Sequence, residues 1–327
     1  MRTTTLGPLA DVSRLTLGGG GLGGVWGSTQ HDEAVATVRQ AVDEGINLID
    51  LAPIYGDSLA IVAEAFGGPP PSHVRITSKV LLGTPAPGEA RTKLVNSLDE
   101  SLRALRRERI DVFFLHSNIC PDGYVYASGA SRQSQFATSW SIYENDVIPT
   151  LVKLKSDGRI GAWGITGVGT PKCIEQALQH AIRPDVIQIV SNLLDSAGGM
   201  KRYNEPHRPR HMMAVAKARG VGVMGIRAVQ AGALTRQLDR DVDKDSAEAK
   251  DYLRAAPFRA LCDQLGEDPA DVAHRYALTM PNVDTVVLGV KNRAELGAAL
   301  KLEQAGPLSA EALIQIDGLL LRDDGSA

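Results

Sequence analysis

Short apolar runs alternate along the chain with segments whose apolar residues recur every three or four positions. Residues 46–51 (INLIDL), 74–80, 110–116, 160–166, 186–190, 221–226 and 285–289 are runs of the first kind, and 15–17 is an eighth. They are β-branched and nearly continuous in apolar character, which predicts parallel strands covered on both faces. Between them, Ala34, Val35, Val38, Ala41 and Val42 form a helical stripe that Gly45 ends. Leu94, Leu98, Leu102 and Leu105 form a second, and Ile148, Leu151 and Leu154 a third that stops at Gly158. Ile174, Ala177, Leu178 and Ala181, then Val272, Ala273, Tyr276 and Ala277, continue the series.

Eight strands alternating with helices predict an α/β fold, either a closed (β/α)8 TIM barrel or a large doubly wound sheet. The 327 residues suit one barrel domain spanning 1–327. An extra amphipathic helix is expected over 308–321 and a frayed tail over 323–327. Two stretches have no clear period: 117–144, after the fourth strand, and 231–256, after the seventh. Loops of this length are often functional. The first carries Tyr124, Tyr126, Phe136 and Trp140 and is expected to face a substrate.

Residues 17–24 read LGGGGLGG, and Gly19, Gly21 and Gly24 satisfy the spacing of a dinucleotide-binding fingerprint. Six glycines in seven positions match many spacings by chance. The next helix starts near Thr29 or Asp32, too far on for its N-terminus to hold a pyrophosphate gripped by the glycines. The Rossmann reading is therefore the weaker rival.

Composition removes several function classes. A net charge of −3 gives no electrostatic footprint for nucleic acid or an anionic membrane. No apolar run approaches the roughly 20 residues that span a bilayer, and residues 1–10 do not resemble a secretory signal. Cys120, Cys173 and Cys262 are too few and too scattered for a disulfide framework or a zinc site, so a reducing cytoplasm is expected.

Four residues carry candidate chemistry. On the predicted strands, Asp50, Lys79 and His116 end strands two, three and four, and Tyr55 follows strand two by five positions. Barrel strand ends share one rim, where barrel active sites form, and adjacent strands lie about 5 Å apart. Carbonyl reduction needs a proton on oxygen as hydride reaches carbon. A free phenol has a pKa of about 10, and a nearby ammonium is expected to lower it. Lys79 supplies that charge, Asp50 keeps Lys79 protonated, and His116 positions the substrate oxygen.

At these residues the sequence resembles the aldo-keto reductase family over nearly its full length. INLIDLAPIYG (46–56) is similar to the family's signature, with its catalytic aspartate at Asp50 and tyrosine at Tyr55. ITSKV (76–80) resembles the lysine motif and DVFFLH (111–116) the histidine motif. The resemblance implies a TIM barrel with NADP(H) extended across the rim, metal-free hydride transfer, and a small carbonyl or sugar as substrate. It places the nicotinamide amide at Gln188 and Thr166. Ser191 and Gly167 stand where the family has a tyrosine and an asparagine. The ring-stacking position falls on Ile226, followed by Arg227, an expected pyrophosphate partner, and by Val229. Gly289, Lys291, Asn292 and Arg293 fall where the family meets the adenosine 2′-phosphate, which favours NADP while leaving NAD open. Ala298 and Ala299 replace a Glu-Asn pair that grips adenine. Trp26 is expected in the substrate wall with Tyr124, Tyr126 and Trp140. The alternatives are a nucleotide-sensing regulatory subunit on the same fold and a barrel lyase or isomerase using Lys79 as a Schiff base.

Overall fold

A computed structural model describes residues 1–126, 130–238 and 240–322. The hydrophobic pattern gives no sign of its first element, an antiparallel hairpin of β1 (Thr3–Leu6) and β2 (Leu9–Ser13). Four parallel strands follow: β3 (Leu15–Gly18), β4 (Leu48–Asp50), β5 (Arg75–Val80) and β6 (Ile110–Leu115). After an outlying pair, β7 (Asn118–Cys120) and β8 (Ala137–Ser139), come β9 (Ile160–Thr166), β10 (Val186–Val190), β11 (Gly222–Ile226) and β12 (Thr285–Leu288). The ring runs β3-β4-β5-β6-β9-β10-β11-β12 and closes where β12 pairs with β3. It is a closed (β/α)8 barrel. The strands match the predicted runs to within a few residues, and His116 lies just past the end of β6.

Closure divides the apolar residues into two layers. Outward-facing residues such as Ile49, Ile76, Phe113, Trp163 and Ile187 join the buried faces of the surrounding helices. The helix His31–Asp43 buries Ala34, Val35, Val38 and Ala41, and Ala90–Leu105 buries Leu94, Leu98, Leu102 and Leu105. The inward layer is Leu48, Val112, Phe114, Ala162, Val186 and Met224, packed with Leu6 and Val12 of the hairpin. The hairpin therefore plugs the N-terminal end of the barrel. Side chains alternate along a strand, so two residues beyond each inward apolar position comes another inward one. Leu48 leads to Asp50, Phe114 to His116, Ala162 to Gly164 and then Thr166, and Val186 to Gln188. An apolar floor thus carries a polar layer at the open end.

The glycine cluster serves close packing. It forms one helical turn, Gly19–Leu22, and the next helix starts at His31 behind Gln30. A Cβ on Gly21 would lie 2.2 Å from the carbonyl oxygen of Val290, and one on Gly23 would lie 1.8 Å from that of Tyr55. The loop after β3 can thus lie against its neighbours on both sides. Together with barrel closure, this removes the doubly wound reading.

The two stretches without a period contain structure that depends on distant partners. β7 and β8 pair in parallel, flanking the helix Ala130–Phe136, and the helix Ala247–Arg254 lies in the second stretch. The C-terminal helix is Ala310–Asp317, shorter than predicted, and residues 323–327 fall outside the described residues. Among the described residues, no helix is long and apolar enough to cross a membrane.

Gly23→Ala is expected to cost about 1–3 kcal/mol, the usual range for overpacking a tight contact, read as a lower urea midpoint at unchanged slope. An unchanged midpoint would contradict the close-packing role.

Candidate active site

The polar layer is organised around one carboxylate. Asp50 is buried at the end of β4. Its Oδ2 accepts from Lys79 Nζ at 2.7 Å, and its Oδ1 accepts from Thr77 Oγ1 at 2.5 Å and from Gln188 Nε2 at 2.7 Å. Lys79 Nζ also donates to the carbonyl of Leu51 at 3.0 Å. Its ammonium lies 4.6 Å from the centre of the Tyr55 ring, and that ring meets His116 edge-on at 5.7 Å between centroids. Tyr55 itself sits in a turn, its N–H donating to Ala52 and its carbonyl accepting from Ser58.

Burial decides the electrostatics. It works to strip the proton from Lys79, but Asp50 and Tyr55 outweigh it and the lysine pKa rises. Burial raises the pKa of Tyr55, and the opposing pull of Lys79 does not cancel it. The expected lowering of that pKa is therefore reversed: the phenol stays protonated at neutral pH. Burial first, and Lys79 second, push His116 down to about 3, so its ring is neutral. Its Nδ1 is buried and meets no hydrogen-bond partner among the described residues.

Asp50, Tyr55 and His116 open onto a cavity of about 500 Å³. Its lining also includes Thr166 and Gln188, Ile226, Arg227 and Val229 around the end of β11, Gly289 and Lys291 after β12, and Glu295, Ala298, Ala299 and Leu302.

A profile described as the aldo/keto reductase family matches residues 14–321. The chain belongs to the aldo/keto reductase family. Like its family, it is an oxidoreductase. It is 26% identical to the L-galactose dehydrogenase of Arabidopsis thaliana, over 94% of this chain and 91% of that one. Its fold is similar to that of an aldo-keto reductase from Bacillus halodurans in holo form, with a TM-score of 0.69 at 20% identity, covering 98% of this chain and 96% of that one. A glycerol dehydrogenase from Gluconobacter oxydans gives a TM-score of 0.67 at 23% identity, covering 98% and 95%.

The cavity suits the nicotinamide dinucleotide that aldo-keto reductases generally use. It is mostly apolar along Ile226, Ala228, Val229 and Val290, and its lining includes His116, whose buried Nδ1 meets no hydrogen-bond partner among the described residues. Thr166, Gln188, Ile226, Val229, Gly289, Lys291 and Trp26 all line it.

Other expected positions are placed differently. Arg227 lines the cavity, but its guanidinium donates to Gln230 at 2.8 Å and to Glu248 at 2.9 Å. Asn292 caps the helix Arg293–Ala305, and Arg293 makes a two-pronged ion pair with Glu33, so neither lines the cavity. Tyr124, Tyr126 and Trp140 do not line it either. Pairing of β7 with β8 folds their segment back on itself, where Tyr126 packs with Cys120 and Ala137. Tyr124 reaches Glu205, and Trp140 meets Tyr143 at a tilt and His180 edge-on. In their place, Met200 and Arg240 line the cavity, and Arg240 stacks over Trp26 at 5.9 Å. Of the residues not foreseen, Glu295 had a readable signal, since Asn292-x-x-Glu295 has helix-capping spacing.

Two outcomes follow. Lys79→Met leaves the Asp50 carboxylate buried beside no cation and is expected to cost about 3–5 kcal/mol in urea unfolding; Tyr55→Phe removes no charge and should cost less than about 1 kcal/mol. Equal losses in the two variants would contradict the pair's role. The folded His116 stays neutral down to about 3, whereas the unfolded one protonates below 6.5, so stability should fall as pH drops through that window. His116→Gln should flatten that limb of a stability-versus-pH curve, and an unchanged slope would count against it.

Proposed function

We propose that the protein exchanges hydride between a nicotinamide dinucleotide and the carbonyl or alcohol carbon of a small substrate, with Tyr55 carrying the proton. When bound, the reduced dinucleotide supplies the hydride and the oxidised one accepts it. The observation that carries this reading is a neutral phenol whose ring centre lies 4.6 Å from a buried ammonium, edge-on to a neutral imidazole, both rings lining one cavity.

In the reducing direction, the Tyr55 hydroxyl gives its proton to the substrate oxygen. The resulting phenolate is stabilised by Lys79, which Asp50 keeps charged. His116 is neutral, so one ring nitrogen carries a hydrogen that holds the substrate oxygen without competing as a stronger acid. In the oxidising direction the phenolate takes the proton back from the alcohol. Gln188 is shared: its Nε2 is committed to Asp50, which leaves its carbonyl oxygen for a carboxamide N–H.

The likeness to an L-galactose dehydrogenase over most of both chains supports an aldose as the substrate class. The indole of Trp26, with Arg240 stacked on it, offers such a molecule an apolar face beside a donor.

Tyr55→Phe is expected to lower kcat on aldehydes and aldoses by about 10²- to 10⁴-fold, with dinucleotide affinity unchanged in a fluorescence titration. A rate within about twofold of the parent, well short of what loss of acid–base catalysis removes, would remove Tyr55 from the mechanism.

A further inference from the structure

Resting on that reading of the cavity, we propose that the protein selects NAD(H) over NADP(H), and that Glu295 sets the choice. The two cofactors differ only at the adenosine ribose: a 2′-hydroxyl in one, a 2′-phosphate in the other. The discrimination must come from the cavity end remote from Tyr55, where the segment after β12 meets the helix Arg293–Ala305.

A helix N-terminus with unpaired N–H groups favours an anion. Here two of those first-turn N–H groups are already engaged, that of Arg293 by Glu33 and that of Glu295 by Asn292. Asn292 accepts from the N–H of Glu295 at 2.9 Å. The Glu295 carboxylate turns back, accepting from the Lys291 N–H at 2.9 Å and from the Asn292 side-chain amide at 2.9 Å. This reciprocal cap fills the place of a phosphate with a carboxylate, and Glu295 lines the cavity.

The charged residues lining the cavity divide evenly, Arg227, Arg236, Arg240 and Lys291 against Asp50, Asp268, Asp271 and Glu295. Asp268 and Asp271, at the start of the neighbouring helix Pro269–Thr279, line the cavity too. Lys291 contributes one positive charge, which Glu295 offsets. Arg236 is held between Asp263 at 2.8 Å and Asp268 at 3.7 Å. Arg293 points to Glu33, outside the cavity. An exposed ion pair of this kind is weak, so the decisive obstacle to a phosphate is Glu295 itself. A carboxylate beside a dianion is repulsive, whereas beside a ribose it accepts hydrogen bonds from hydroxyls.

The test is titration of the purified protein with NADH and with NADPH, followed by nucleotide fluorescence and by calorimetry. NADH should bind at least about tenfold more tightly. Glu295→Gln keeps a side chain able to cap the helix but removes the charge, and it should narrow the gap by strengthening NADPH binding. NADPH binding as tight as NADH in the parent protein, or a ratio unmoved in Glu295→Gln, would overturn the proposal while leaving the hydride-transfer reading intact. Failure of both nucleotides to bind would overturn the two together.

Discussion

A buried ammonium and a buried carboxylate, 2.7 Å apart, govern the open end of this barrel. Taking either ion out of water costs several kcal/mol, and their attraction repays that only when the remaining hydrogen-bonding capacity is also met. Here it is met. Asp50 accepts from Thr77 and Gln188 as well as from Lys79, and Lys79 donates onward to the Leu51 carbonyl. The pair is therefore a fixed source of positive potential under Tyr55 and beside His116. Burial first, and Lys79 second, keep the imidazole neutral, and burial holds the resting phenol protonated against the pull of Lys79.

The barrel supplies the precision. One strand parity puts apolar residues on the floor and, two positions on, polar residues at the mouth, so packing and chemistry share the same alternation. The N-terminal hairpin seals the opposite end with Leu6 and Val12. The glycines after β3 bring the loop that carries Tyr55 close enough for its carbonyl to lie where a Cβ would have been. The Tyr55 side of the cavity is thus built on strand ends, and the Glu295 side on a helix cap and loops.

Much of this was legible in the chain, for a physical reason. Strands buried on both faces leave dense apolar runs, and the polar residues that interrupt those runs at their C-terminal ends are conspicuous. Asp50, Lys79 and His116 stand out in this way. What was not legible depends on pairing at a distance. The aromatic residues Tyr124, Tyr126 and Trp140 suggest a substrate wall only while the pairing of β7 with β8 is unknown. Arg227, Asn292 and Arg293 suggest phosphate ligands until Glu248, Glu295 and Glu33 are seen to engage them. The rise in the Tyr55 pKa is not legible in the sequence, because strand-end placement shows a nearby cation but not the burial that outweighs it.

The central claim is that the phenol of Tyr55 rests protonated above a charged lysine. An ultraviolet difference titration of tyrosine ionisation, comparing the parent protein with its Tyr55→Phe variant, measures this directly. The account predicts that the Tyr55 component ionises above the ordinary value of 10.0. Ionisation below that value would mean that Lys79 outweighs burial, and would contradict it.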